Sequence, residues 1–141
     1  MGHELVIHGA IEGATWRSED FRALQAQNEM VLSELPKADN WPQLVGDMFA
    51  LPAPEPIGTY RTQVIHFGAS FKEEGRDALA AWLKKFENLL SKMWWHRAKL
   101  IANTERSERV YSWEPESSWS TELGSMEPSP VARWKRQVRE L

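Results

Sequence analysis

Hydrophobic and polar positions along the chain follow two patterns, one typical of strands and one typical of helices. Residues 4–11 and 60–71 are rich in β-branched and aromatic side chains, which predicts two strands. Residues 21–35 and 78–93 carry apolar side chains three and four positions apart, which predicts a helix after each strand. Only Asn28 interrupts the apolar stripe of the first helix. The second helix has the stronger stripe, formed by Leu79, Trp82, Leu83, Phe86, Leu89, Leu90 and Met93.

The two strand-helix segments also resemble each other in sequence. Residues 6–10 read VIHGA and residues 64–69 read VIHFGA. A shift of 58 residues makes seven of the thirty positions in 6–35 identical and keeps the two helical stripes in register. The pattern favours one strand-helix unit used twice, with two unrelated units of equal period as the alternative.

The remaining segments predict a loop, a hairpin and a terminal helix. Residues 36–58 hold five of the eight prolines, which favours an extended connection of the kind that often binds ligands. Residues 94–114 alternate as a β-hairpin does. Ser129 followed by Pro130 is a typical helix start. The apolar face of this predicted C-terminal helix consists of Val131, Trp134, Val138 and Leu141.

Together these elements predict an α+β or α/β two-layer sandwich. Its sheet is four-stranded and mixed, with two main helices on one face and a C-terminal helix. We expect the long helix to join the second and third strands by a right-handed parallel crossover. We assign the chain to a single domain, 1–141, made of a strand-helix unit 4–35, a Pro-rich loop 36–58, a strand-helix-hairpin 59–114, and a polar tail with the C-terminal helix 115–141.

Composition narrows the classes of protein and of site. The formal net charge is −3, and the chain has no cysteine, which excludes disulfides, thiolate zinc sites and a cysteine nucleophile. The N-terminus lacks the features of a signal peptide, and no run reaches the roughly 18 apolar residues that span a membrane. We therefore expect a cytoplasmic protein without a membrane partner.

The histidines of the repeated strands are candidates for a site. His8 and His66 would lie close together if the two strands are neighbours. Two histidines are too few for a catalytic metal site, which usually takes three protein ligands, and no spacing supports His96 as the third. We therefore expect half-buried structural histidines and no metal or other cofactor. A small enzyme or ligand-binding domain that uses His8 and His66 is the alternative.

Other catalytic and nucleic-acid motifs are weak. Ser70 lacks the elbow pattern of a hydrolase nucleophile, and the glycines form no phosphate-binding loop. The sequence therefore favours a protein that is not an enzyme. The C-terminal helix would carry Arg133, Lys135, Arg136 and Arg139, which makes nucleic-acid binding a second alternative. The acidic balance of the chain argues against that partner, although such a charge-split molecule could form a homo-oligomer.

Eight tryptophans are more than one small core usually holds. Three of them, Trp41, Trp119 and Trp134, lie in or beside segments rich in proline and serine, where exposed aromatic side chains would anchor an interface. Nearby acidic residues would attract a basic protein partner. The predicted partner-binding surface consists of Trp41, Met48, Phe49, Asp39, Asp47 and Trp119.

The chain resembles the small immunity proteins of bacterial toxin operons in its size, its lack of cysteine, its acidic balance and its tryptophan-rich loops. Those proteins work by plugging or masking one partner toxin. The resemblance is one of general character, so it carries over no functional residue. It implies a protein-binding inhibitor whose partner is a toxin.

Overall fold

The described part of the chain forms six strands and two main helices. The computed structural model describes residues 3–15, 21–40, 42–51, 62–73, 78–104, 107–115 and 134–140. In chain order the elements are β1 (His3–Thr15), α1 (Phe21–Ser33), a 3-10 helix (Gly46–Met48), β2 (Phe49–Ala50), β3 (Thr62–Glu73), α2 (Ala78–Leu90), β4 (Arg97–Asn103), β5 (Glu108–Pro115) and β6 (Trp134–Glu140).

The strands form one sheet in the order β2-β3-β1-β4-β5-β6, and every neighbouring pair is antiparallel. The predicted four-stranded mixed sheet is therefore wrong. β3 and β4 do run parallel to each other, but β1 lies between them and is antiparallel to both. Up to β4 the chain follows the β-α-β-β-α-β order called ferredoxin-like, and β5 and β6 extend the sheet. Such a topology does not by itself indicate a function.

Both strand-helix segments predicted from the sequence are present, and their bounds repeat at the shift that aligns the two sequences. Moved by 58 residues, β1 and α1 coincide with β3 and α2 to within one residue at each end. β1 and β3 are neighbours in the middle of the sheet, and Gly9 pairs with Phe67, its own equivalent in the repeat. The two units are therefore related by a local pseudo-two-fold axis that passes between Gly9 and Phe67.

The two residues at this axis differ because there is room for only one large side chain. A Cβ on Gly9 would overlap the carbonyl oxygen of Lys99 and would lie 2.8 Å from Phe67 Cζ. The Phe67 ring lies 4.9 Å from the Phe86 ring and 6.2 Å from the Trp82 ring, measured between centroids. Glycine on one side of the axis thus makes room for the aromatic ring on the other.

The hydrophobic core lies between the two helices and one face of the sheet. The predicted stripe of α2 is confirmed, with Trp82 and Phe86 fully buried and their rings stacked 5.3 Å apart. Leu79 is only partly buried. Alternate residues of four strands supply the other side of the core: Leu5, Ile7, Ile11, Ile65, Phe67, Phe71, Ala98, Leu100, Ala102, Tyr111 and Trp113.

The polar residue in the stripe of α1 joins that helix to the segment before β4. Asn28 is fully buried. Its Nδ2 donates to the Trp94 carbonyl oxygen at 2.8 Å, and its Oδ1 accepts from the Trp94 N–H at 2.7 Å. One side-chain amide therefore satisfies both backbone groups of a buried residue, which would be costly to leave unpaired.

The C-terminal segment is a strand, so the predicted C-terminal helix is wrong. β6 pairs with β5 along its whole length. Apolar residues at 134 and 138 fit a helix by their spacing, but they also lie on one face of a strand. Val131 and Leu141, the other members of the predicted helical face, lie outside the described residues. The edge of β5 supplies backbone partners that the local pattern does not reveal.

One carboxylate on α2 forms hydrogen bonds with side chains of both β5 and β6. Glu87 Oε2 accepts hydrogen bonds from Trp113 Nε1 at 2.9 Å and from Trp134 Nε1 at 3.2 Å. Its Oε1 accepts from Arg136 Nη1 at 3.3 Å. These bonds connect α2 to β5 and β6, and they favour the strand over the helix for this segment.

The close approach at Gly9 predicts a large effect for its smallest substitution. Gly9→Ala should lower the free energy of unfolding by about 3 kcal/mol, because the added methyl group meets backbone atoms that cannot move independently. Gly68→Ala is the matched control, since a Cβ there would make an ordinary contact at 3.4 Å. Urea unfolding of both variants measures the difference. Equal effects would show that Gly9 is not a steric constraint.

Candidate functional site

The face of the sheet that points away from the helices is the candidate functional surface, called here the open face. Successive side chains of a strand point to opposite faces, so each strand sends one set of residues into the core and the other to the open face. Both described helices pack on the core side. In an antiparallel sheet, directly paired residues share a face and form rows across the strands.

Two neighbouring rows occupy the middle of the open face and contain no carboxylate. We call them the central band. On β3, β1, β4, β5 and β6 the first row consists of His66, Ala10, Lys99, Ser112 and Gln137, and Ala50 of β2 extends it beyond His66. The second row consists of Gly68, His8, Ile101, Val110 and Arg139. With strands about 4.8 Å apart, the five strands spread the band over roughly 19 Å.

A row of alternating charge borders the central band. Its members on β1, β4, β5 and β6 are Glu12, Arg97, Glu114 and Lys135. Glu12 Oε2 lies 3.6 Å from Arg97 Nε. This row therefore carries equal numbers of cations and carboxylates, whereas the central band carries cations and no carboxylate.

The two repeated histidines lie diagonally opposite each other in the central band. His8 pairs with Gly68 and Ala10 pairs with His66, so the pseudo-two-fold axis relates the two histidines. Both are on the same face, as the sequence predicts for neighbouring strands. Both are exposed, so the expectation of half-buried histidines is wrong.

His96, the third candidate ligand, lies elsewhere. Its Nδ1 is 3.1 Å from the Gly13 carbonyl oxygen, and its Nε2 is 3.7 Å from Glu12 Oε2. Glu12 is four residues further along β1 than His8, or roughly 13 Å along a strand. The residues that the structure describes contain no group of three or more histidine or acidic side chains placed to hold a metal ion.

Two shallow depressions on the open face meet at Lys99. The smaller, of about 340 Å³, includes His8, His66 and Ile101. The larger, of about 680 Å³, includes Arg139. Its lining also contains Arg97, Val110, Ser112, Glu114 and Gln137. Cations, a hydroxyl, an amide and one carboxylate surround an apolar floor, and the cations can hold carboxylate or other anionic oxygens by charge-assisted hydrogen bonds.

The described members of the predicted partner-binding set, Asp39, Asp47, Met48 and Phe49, do not form one exposed surface. Met48 and Phe49 are partly buried and pack against the core, with the Phe49 ring 5.6 Å from the Phe67 ring. Asp47 is exposed. Trp41 and Trp119 lie outside the described residues.

Asp39, the remaining member of that set, binds within the chain. Its Oδ2 accepts hydrogen bonds from Lys85 Nζ at 2.8 Å and from the Leu44 N–H at 3.1 Å. Lys85 also donates to the carbonyl oxygens of Asn40 and Pro42 at 2.8 Å and 2.9 Å. These contacts fasten the proline-rich loop to α2. The Lys85 ammonium, helped by the Leu44 N–H, holds the pKa of Asp39 below its ordinary value.

Sequence reasoning identifies only part of the central band. It selects His8 and His66 from the repeat. Lys99 and Ser112 could also have been identified, because the sequence predicts both strands of the hairpin and the alternation of side chains along them. Arg139 instead falls in the segment whose spacing predicts a helix, so no local signal assigns it to a sheet.

The contact between Asp39 and Lys85 predicts a pH-dependent contribution to stability. A lowered pKa in the folded protein means that the contribution is present above pH 3.8, the ordinary value, and is lost as the pH falls through the folded-state pKa. Asp39→Asn should therefore lower the free energy of unfolding at pH 7, and the difference from the unsubstituted protein should shrink below pH 3.8. Urea unfolding at several pH values measures it, with Asp47→Asn as control. A difference that stays constant with pH would contradict the ion pair.

No protein-family model, curated protein or solved structure matches the chain. Within the described ranges, no helix has both the length and the apolar character needed to cross a membrane. The candidate site therefore rests on the geometry of the open face alone.

Proposed function

We propose that this is a binding protein that docks a protein partner on the open face of its sheet. The central band is the observation that carries the proposal. Its floor is apolar, from Ala10, Ile101 and Val110, and polar side chains surround that floor. An apolar centre with a polar rim is the usual anatomy of a protein interface.

The geometry favours this function over nucleic-acid binding by the C-terminal segment. That alternative needs the basic residues on one helical surface. In β6 they divide between the two faces of the sheet: Arg136 contacts Glu87 on the core side, while Lys135 and Arg139 point to the open face. The basic cluster expected from the sequence is therefore not formed by these three residues.

The enzyme alternative has less support than the binding function. His8 and His66 are exposed and belong to a shallow surface. Catalysis by a general base needs a positioned partner and a site that limits access of water. The lining of the smaller depression contains, besides the histidines and Lys99, only glycine and apolar residues. This chemistry fits recognition better than proton transfer.

The resemblance to immunity proteins makes a bacterial toxin the proposed partner and the cytoplasm the proposed compartment. Such proteins work by masking a partner, which requires a broad complementary surface rather than a catalytic centre. The product of the adjacent gene is the partner to test first.

Placing a charge on the apolar floor should weaken binding of that partner. We expect Ile101→Asp to raise the dissociation constant at least tenfold, equivalent to about 1.4 kcal/mol. Ala80→Asp introduces the same residue on the exposed side of α2 and should change the constant less than twofold. Surface-immobilised kinetics measures both variants, with circular dichroism as the folding control. Equal affinities for the two variants would exclude the open face as the docking surface.

A further inference from the structure

We propose that the central band binds an acidic segment of the partner, with Lys99 and Arg139 each contacting a carboxylate. This inference rests on the proposed function and specifies the chemistry of the docked segment. It differs from the expectation drawn from the sequence, in which an acidic loop attracts a basic partner.

Arg139 differs from the other arginines in its surroundings. The structure describes four arginine side chains. Arg97, Arg109 and Arg136 lie 3.6 Å, 3.2 Å and 3.3 Å from the carboxylates of Glu12, Glu140 and Glu87. Arg139 has no such partner among the described residues.

Lys99, like Arg139, lacks an ion pair with any described carboxylate. No described carboxylate lies within ion-pair distance of it, and its neighbours in the band are Ala10 and Ser112. Lys99 and Arg139 lie two strands and one row apart, which places their backbones roughly 12 Å from each other. The band therefore offers two cations at a fixed spacing, with the Ser112 hydroxyl and the Gln137 amide between them.

The charges around the band favour a protein segment over a nucleic acid. Glu12 and Glu114 alternate with Arg97 and Lys135 along one side of the band, and Glu108 lies beyond the other side on β5. A phosphodiester backbone is charged at every nucleotide and would meet these carboxylates as it left the band. A protein segment can place carboxylates opposite Lys99 and Arg139 and neutral or basic residues elsewhere.

The first test uses a helical peptide as the probe. A blocked 16-residue alanine peptide with glutamate at every fourth position spaces its carboxylates about 6 Å apart, so every second glutamate matches the 12 Å spacing. Its binding to the full chain is followed by NMR titration of the methyl signals of Ile101 and Val110. The same peptide with glutamine in place of glutamate, and a 12-nucleotide oligothymidylate, are the comparison probes.

We expect the glutamate peptide to bind and the glutamine peptide to bind at least tenfold more weakly. Lys99→Gln and Arg139→Gln should each weaken binding of the glutamate peptide at least fivefold. Lys135→Gln, in the row of alternating charge that borders the band, should change it less than twofold. Equal binding of the two peptides, tighter binding of the oligonucleotide, or an equal loss in Lys135→Gln would overturn the proposal.

A second test separates this inference from the proposed function. The double variant Lys99→Gln with Arg139→Gln is compared with Ile101→Asp for binding of the adjacent gene product. Weaker binding in both supports the acidic segment. Weaker binding in Ile101→Asp alone overturns the acidic segment and leaves the docking face in place. Unchanged binding in both overturns the docking face and, with it, the acidic segment.

Discussion

The contact of the Phe67 ring with the backbone of Gly9 is the constraint on which the rest of the structure depends. It lies on the pseudo-two-fold axis between the two strand-helix units, where only one large side chain fits. Through Phe86 and Trp82 the same ring joins the central strands to α2. A side chain at position 9 would also meet Lys99 of β4, so this glycine sets how closely three strands approach. The near-repetition of VIHGA as VIHFGA thus falls on two strands that the local axis relates, and the two sequences differ where that axis passes.

This arrangement places the large apolar side chains on one face of the sheet, and the two described helices leave the other face uncovered. β6 matters most here, because it supplies Gln137 and Arg139 to the central band. It is held from the opposite side of the sheet by Glu87, whose carboxylate binds two indole N–H groups and a guanidinium. A carboxylate beside the core therefore positions two residues of the proposed binding surface. The proposed function therefore depends on a contact that also stabilises the fold, although Glu87 itself does not lie on the open face.

The features that could be predicted from the sequence are those set by local periodicity. The stripe of α2 and the repeated strands follow from spacing alone. The identity of β6 could not be predicted, because its partners on β5 and at Glu87 are distant in sequence and its apolar spacing also fits a helix. Exposure of the histidines depends on which face the helices cover, and alternation does not decide this. The ion pair of Asp39 could not be predicted either, because its partner Lys85 follows 46 residues later in the chain.

The central claim is that a protein partner docks on the open face rather than on the helices. Intermolecular nuclear Overhauser effects test it most directly. They are measured between the amide protons of the adjacent gene product, deuterated on carbon, and the methyl protons of this chain. The account predicts contacts from the methyl groups of Ile101 and Val110, which belong to the central band, and none from Met30, which is exposed on α1. Contacts from Met30 with none from Ile101 and Val110 would contradict it.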